Sequence, residues 1–170
     1  DDLLYGEGGF DRLFGGPGND TLFAGDGPDA LFGEANNDIL SGGLDDDRLF
    51  GGTGNDLIEG DAGNEEQLGG AGLDTISGGA GNDTHQGNFN ADTFVFADGG
   101  GADVVTDFDL PNAFEKIDVS GLTSVTDFGD LITNHTVQVG DDVVVSDGAG
   151  TSFTLLGISM GALTTDDFIF

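Results

Sequence analysis

Cysteine and tryptophan are absent from the 170 residues, and lysine and arginine together number three. Without cysteine no disulfide can tie the fold. Three basic residues against 33 acidic ones leave a formal net charge of −30, which makes nucleic acid and anionic membrane poor partners. No apolar run reaches the about 18 residues of a membrane-spanning helix, and the N-terminus lacks the basic-then-apolar pattern of an export signal. Catalytic signatures are missing too. There is no HExxH or GxSxG, and the two histidines, His85 and His135, stand far apart without the partners a triad needs.

What fills the chain instead is glycine, 33 of 170 residues against about 7% in ordinary proteins. These glycines are ordered. The stretch GGPGNDTLF at 15–23 returns in steps of nine through ten units, 6–14, 15–23, 24–32, 33–41, 42–50, 51–59, 60–68, 69–77, 78–86 and 87–95, and the frame never slips. In the pattern GGxGxDxUx, with U a large apolar residue, the sixth position reads Asp11, Asp20, Asp29, Asp38, Asp47, Asp56, Glu65, Asp74, Asp83 and Asp92. The eighth reads Leu13, Leu22, Leu31, Leu40, Leu49, Ile58, Gln67, Ile76, His85 and Phe94. Asp2 and Leu4 fit the same frame, so the chain is expected to start inside a repeat of a longer protein. Clustered carboxylates could suggest a glycosidase pair, but a recurrence locked to a glycine loop fits a metal better. Glycine permits the positive φ angles of tight loops, and calcium takes six to eight oxygens, carboxylate and carbonyl, at roughly 2.3–2.6 Å.

Units 15–23 and 51–59 (GGTGNDLIE) match every fixed position, and the array resembles the calcium-binding nonapeptide repeat of RTX proteins. The resemblance implies an all-β fold: a right-handed parallel β-roll over 1–95, followed by a C-terminal all-β cap over 96–170. One coil takes two units, each a glycine-rich loop and a three-residue strand whose middle side chain points inward. The implied metal ligands form two columns, Asp2, Asp20, Asp38, Asp56, Asp74 and Asp92 on one side and Asp11, Asp29, Asp47, Glu65 and Asp83 on the other. Loop glycines Gly16, Gly18, Gly52, Gly54, Gly70, Gly72, Gly79 and Gly81 accompany them, and the gaps between neighbours allow up to about nine calcium ions. Neighbours in a column sit one strand spacing apart, about 4.8 Å. Two carboxylates at that distance repel by about 0.9 kcal/mol in water and by roughly 3.5 kcal/mol at an effective dielectric of 20. The metal-free array is therefore expected to be disordered and to fold on calcium.

Three features depart from the plain pattern. Units 33–41 (GEANNDILS) and 60–68 (GDAGNEEQL) lose glycines, and the second puts Glu65 and Gln67 at ligand and core positions. Either they take those roles, or a local bulge moves Glu66 and Leu68 into them; in both cases a weak or missing ion is expected. His85 reads as a hydrogen-bonded histidine at the end of the core, and His135 as a surface residue. On one side of the roll Phe14, Phe32 and Phe50 recur at the ninth position beside Arg12 and Arg48 at the seventh, which forms an exposed face on an otherwise acidic molecule. That face either docks the C-terminal segment or a neighbouring domain, or binds a polysaccharide or protein, with aromatics stacking and arginines gripping carboxylates.

After residue 95 the texture changes. DTFVF (92–96), DVVTDF (103–108), EKIDVSGL (115–122), TVQVGDDVVVS (136–146), TSFTLLGI (151–158) and DDFIF (166–170) are β-branched and aromatic with Gly and Asp turns between them. The segment looks like the closing part of the β-roll in serralysin-type metalloproteases and in mannuronan epimerase R-modules, and a solenoid needs such a terminal unit. Asp103 and Asp107 are candidates for one further calcium. DFIF resembles the uncleaved signal of proteins exported by type I secretion. The chain thus reads as a non-catalytic, calcium-folded export and maturation module of a secreted, extracellular bacterial protein. Its expected partners are calcium and the type I secretion apparatus. The alternatives are a module that binds an extracellular polysaccharide such as alginate, and a structural spacer of an adhesin.

Overall fold

The computed structural model describes residues 1–110, 112 and 114–170. The strands of the repeat array, in chain order, are Leu3–Gly8 (β1), Arg12–Pro17 (β2), Thr21–Asp26 (β3), Ala30–Ala35 (β4), Ile39–Leu44 (β5), Arg48–Thr53 (β6), Leu57–Ala62 (β7), Glu66–Gly72 (β8), Thr75–Ser77 (β9) and Thr84–Asn90 (β10). Beyond them come Thr93–Ala97 (β11), Ala102–Val105 (β12), Lys116–Gly121 (β13), Thr136–Val139 (β14), Asp142–Ser146 (β15), Ser152–Leu155 (β16) and Phe168–Ile169 (β17).

Odd and even strands of the array fall into two facing sheets. One runs β1-β3-β5-β7-β9-β11-β13-β17; the other runs β14-β15-β16-β12-β10-β8-β6-β4-β2. Within the array all pairs are parallel and offset by 18 residues, two nonapeptides per coil: Leu22 pairs with Leu40 and Leu40 with Ile58, while Leu13 pairs with Leu31 and Leu31 with Leu49. The fold is therefore an all-β, largely parallel β-roll.

Most strands exceed the three residues expected, reaching six or seven, because the first three positions of the following unit stay in the ladder. In β2, Gly16 still pairs with Glu34 and Pro17 with Ala35. From β3 to β11 the amide of the seventh position donates to the carbonyl of a sixth-position residue one coil back, as Leu57 does to Asp38 at 2.9 Å.

The eighth-position side chains fill the space between the sheets. Leu22, Leu31, Leu40, Leu49, Ile58, Ile76 and Phe94 are fully buried, and so are Gln67 and, nearly, His85. No bulge intervenes at unit 60–68: Gln67 pairs with Leu49 and Glu66 with Arg48, in the ordinary register.

The cap continues both sheets, since β11, β13 and β17 extend one and β12 and β16 the other, still in parallel. Only β15 reverses direction, pairing antiparallel with both β14 and β16 at the end of the second sheet. Short helical turns at Phe128–Asp130, Leu131–His135, Met160–Ala162 and Thr165–Asp167 join the cap strands to form a mixed end. Phe96 stacks on Phe153 at 4.1 Å, and Val143, Val145, Leu155 and Leu131 complete the cap core. The terminal DFIF segment is itself a strand: Phe168 is buried and pairs with Ile117.

Candidate metal centre

Every loop of the array turns on the same two torsions. The second and fourth positions carry positive φ, from 93° to 156° at Gly16, Gly18, Gly52, Gly54, Gly70, Gly72, Gly79 and Gly81. Where the unit has lost a glycine the backbone keeps the shape: Glu34 and Asn36 hold φ of 78° and 80°. A non-glycine residue there is strained, so the loop geometry is imposed by the neighbouring coils.

Two hydrogen-bond ladders lock the loops together in opposite directions. The sixth-position carboxylate reaches back: Asp20 Oδ1 accepts from the Asp2 amide at 2.5 Å, Asp38 from Asp20 at 2.7 Å, Asp56 from Asp38 at 2.8 Å, Asp74 from Asp56 at 2.9 Å and Asp92 from Asp74 at 2.9 Å. In the other column Asp29 and Asp47 do the same for Asp11 and Asp29 at 2.7 Å, and Asp83 for Glu65 at 2.9 Å. The fifth-position side chain reaches forward, with Asn19, Asn37 and Asn55 accepting from the amides of Asn37, Asn55 and Leu73. This second ladder, which explains the recurring Asn before Asp, went unread in the sequence.

Along most of the two columns one carboxylate oxygen is thereby used, and the other is stranded. The Oδ2 atoms of Asp11, Asp20, Asp29, Asp38, Asp47, Asp56, Asp74 and Asp83, and both carboxylate oxygens of Glu65, are buried without a partner. Buried unsatisfied oxygens on this scale are foreign to a finished protein interior. First-position glycines mark where they converge. A Cβ on Gly33 would lie 2.5 Å from Asp38 Oδ2 and 2.6 Å from the Gly51 carbonyl, and one on Gly51 2.5 Å from Asp56 Oδ2 and 2.6 Å from the Gly69 carbonyl. Carboxylate and carbonyl oxygens converging on one place are the donor set that calcium takes. The residues present therefore fit calcium. The sequence reading assigned second- and fourth-position glycines to the loops but missed this role of the first, because the space is made by the next coil. Unit 24–32 has Ala24, fully buried, in that first position.

Burial dominates the electrostatics. It pushes the carboxyls of Asp38, Asp47 and Asp92 up to about 6 and those of Asp74 and Asp103 to about 7, against the opposing pull of the amides they accept from. Glu65 stands apart. Buried, and beside the Asp83 carboxylate, it is raised to about 9. In this unit the longer side chain breaks the ladder, leaving both Glu65 oxygens unpartnered.

The remaining sequence candidates separate. Asp2, in the first coil, is exposed. Asp103 joins the second column, accepting from the Asp83 amide at 3.0 Å. Asp107 instead accepts from the amides of Gly87 and Asn88 at 3.0 and 2.8 Å, which occupies both its oxygens. Glu115, unnoticed in the sequence, is buried near Asp92 and Asp107, raised to about 7 chiefly by burial, and accepts from the Asp109 amide. On the outer face Phe14, Phe32 and Phe50 stack at 4.8 and 4.9 Å. The Arg12 guanidinium lies 5.7 Å from the Phe14 and Phe32 rings and that of Arg48 5.4 Å from Phe50, with Arg48 also paired to Glu66 at 2.6 Å. Tyr5 and Phe23 form a shorter stack on the other sheet.

Comparison with known proteins adds the following. The family model of the RTX calcium-binding nonapeptide repeat matches in four copies, at residues 1–31, 14–49, 32–65 and 68–94. The AlgE6R2 subunit of the mannuronan C5-epimerase from Azotobacter vinelandii is similar at 25% identity and a TM-score of 0.53, over 78% of this chain and 91% of that one. The AlgE6R3 subunit of the epimerase from the same organism aligns at 29% identity and a TM-score of 0.37, over 81% and 80%. The extracellular lipase LipA from Serratia marcescens aligns at 17% identity and a TM-score of 0.48 over 89% of this chain, which spans only 45% of the lipase. No curated protein matches the chain by sequence.

Proposed function

This chain belongs to the RTX calcium-binding nonapeptide repeat family, and we propose that it is the calcium-folded export and maturation module of a secreted bacterial protein. It is a non-catalytic, calcium-binding repeat module, and no helix among its described residues is long and apolar enough to cross a membrane. The observation that carries the proposal is the double column of stranded, buried carboxylate oxygens. Calcium, when bound, supplies the positive charge that these oxygens and the loop carbonyls lack. Without a cation the columns favour an open chain, which can thread a secretion channel; in extracellular calcium the loops close and the coils stack. Sites of about 10⁻⁴–10⁻³ M affinity suit such a switch.

The terminal residues take part in the same exchange. In the folded chain Asp167 caps its turn by accepting from the Thr164 amide at 2.6 Å, and Phe168 is buried against the cap. In the open chain 166–170 are free to be read as an export signal. The test is secretion by cells carrying a type I apparatus, comparing the intact chain with one lacking 166–170. Loss of export on deletion supports the reading, and full export of the truncated chain contradicts it.

A second reading has its own support. The Arg12–Phe14–Phe32–Arg48–Phe50 face presents stacked aromatics and cations on an acidic molecule, and the AlgE6R2 subunit belongs to an enzyme named for acting on mannuronan. On this reading the folded module holds an acidic polysaccharide. Alginate should then bind the calcium-loaded chain, and Arg12→Ala with Arg48→Ala should weaken it; no heat or shift signal at saturating alginate ends this reading.

A further inference from the structure

The polar break in the core is built around a nitrogen with nothing to bind. Gln67 and His85 occupy successive eighth positions in one column and are both buried. The Gln67 Nε2 amide donates to the Ser77 carbonyl at 2.8 Å, which turns its Oε1 toward His85 Nδ1 at 2.7 Å. A carbonyl oxygen only accepts, so Nδ1 carries the ring proton and Nε2 keeps its lone pair. That Nε2 is buried and unpartnered. His85 clusters with Asp83, which has its own stranded Oδ2, and with Asp103: one ligand atom from each of the three lies within 4.8 Å of the others.

From this geometry we infer that Asp83, His85 and Asp103 form a site for a divalent transition metal such as zinc, distinct in chemistry from the oxygen-only loops. Calcium takes oxygen donors; one imidazole and two carboxylates suit zinc, which binds nitrogen and oxygen at about 2.0–2.2 Å. Histidine ligands ordinarily donate their other ring N–H to a carbonyl or carboxylate that fixes the tautomer, and Gln67 does this here. A cavity of about 230 Å³, lined in part by Phe96, Ala97, Asp98, Gly99 and Gly100, borders Asp103. The ordinary unit has an apolar residue at the eighth position. Histidine replaces it at the coil where Asp103, 20 residues beyond Asp83 instead of 18, brings the last carboxylate of the column.

The site needs the folded roll, so it is tested in the calcium-saturated chain, with folding followed separately by circular dichroism. Zinc titrated into this chain should bind with one tight equivalent, and cobalt should give the visible absorption of a nitrogen-containing site. His85→Leu, which restores the residue found at five other eighth positions, should keep the calcium-induced β signal and lose the tight zinc equivalent. Gln67→Leu should weaken it about tenfold, and His135→Ala should leave it unchanged. Should His85→Leu not fold, the ¹⁵N shift of His85 Nε2 in the unaltered chain gives the answer, moving on addition of one zinc equivalent. A calcium-folded chain with no stoichiometric zinc, an unmoved Nε2, or full zinc binding by folded His85→Leu overturns the inference. A chain that does not fold in calcium fails the proposed function instead.

Discussion

Units 51–59 and 60–68 are neighbours on the chain and share one backbone path, yet their side chains do opposite things. In the first, Asp56 completes the amide ladder and Ile58 fills the core; in the second, Glu65 leaves the ladder open and Gln67 brings an amide into the apolar interior. Register nonetheless runs through both without a bulge. The coil is thus set by loop torsions and interstrand pairing, while the sixth and eighth side chains decide what the coil binds and how strongly it holds.

The largest separation between the two kinds of unit is expected in their response to acid. A carboxyl whose folded pKa lies above its unfolded value near 4 binds protons more tightly in the fold. Its contribution to metal-free stability is fully present below about 4 and is lost as pH rises through the folded value. For Asp38, Asp47, Asp74 and Asp92 that loss centres at about 6 to 7, whereas Glu65 retains its proton to about 9. Chelated chain taken from pH 8 to pH 5 should therefore gain β signal, with a midpoint near pH 6. In calcium the dependence reverses, because protons compete for the ligand oxygens. Circular dichroism across pH, with and without chelator, checks both signs.

Next in size is a paired substitution. Asp56→Ala removes a stranded oxygen and the acceptor of the Asp38 amide, whose burial unpaired costs about 1–3 kcal/mol; the calcium midpoint should rise about tenfold. Glu65→Ala removes no such bond and should move the midpoint less than about twofold, by the same conversion of free energy to affinity. Equal effects would erase the distinction between the units.

The core positions allow a third comparison. Gln67→Leu strands the His85 Nδ1 proton and should destabilise the calcium-loaded chain by about 1–3 kcal/mol, whereas Gln67→Leu with His85→Leu removes both partners and should be near neutral. Denaturant unfolding in saturating calcium measures the cycle. An effect smaller than that of Asp56→Ala is expected at unit 24–32, where Ala24→Gly opens the space that first-position glycines leave before Asp29 Oδ2 and should lower the calcium midpoint by a few fold, a change of about 1 kcal/mol.

The repeat made the roll legible. A nine-residue frame with Asp at the sixth place and Leu or Ile at the eighth carried the family resemblance, and the resemblance implied the 18-residue offset, the inward row and the two columns. What stayed hidden depends on the adjacent coil. The first-position glycine is needed because the neighbouring carbonyl and its own unit's carboxylate occupy the place of a Cβ, and the Asn ladder joins residues 18 apart. His85 was read as lying at the end of the core; it is followed by Val105 and Leu155 in the same row, and its partner Gln67 sits one coil before it. The cap has no repeat to set its register, so neither the β14–β15 hairpin nor the pairing of the terminal strand with β13 could be read from composition.

The central claim is that the stranded oxygens require a cation for the roll to form. A calcium titration of the chain at neutral pH, read by far-UV circular dichroism with magnesium as the control, tests it most directly. A disordered chain in chelator and a cooperative gain of β signal at sub-millimolar to millimolar calcium, absent with magnesium, are the expected results. Full β signal in chelator at neutral pH would contradict it.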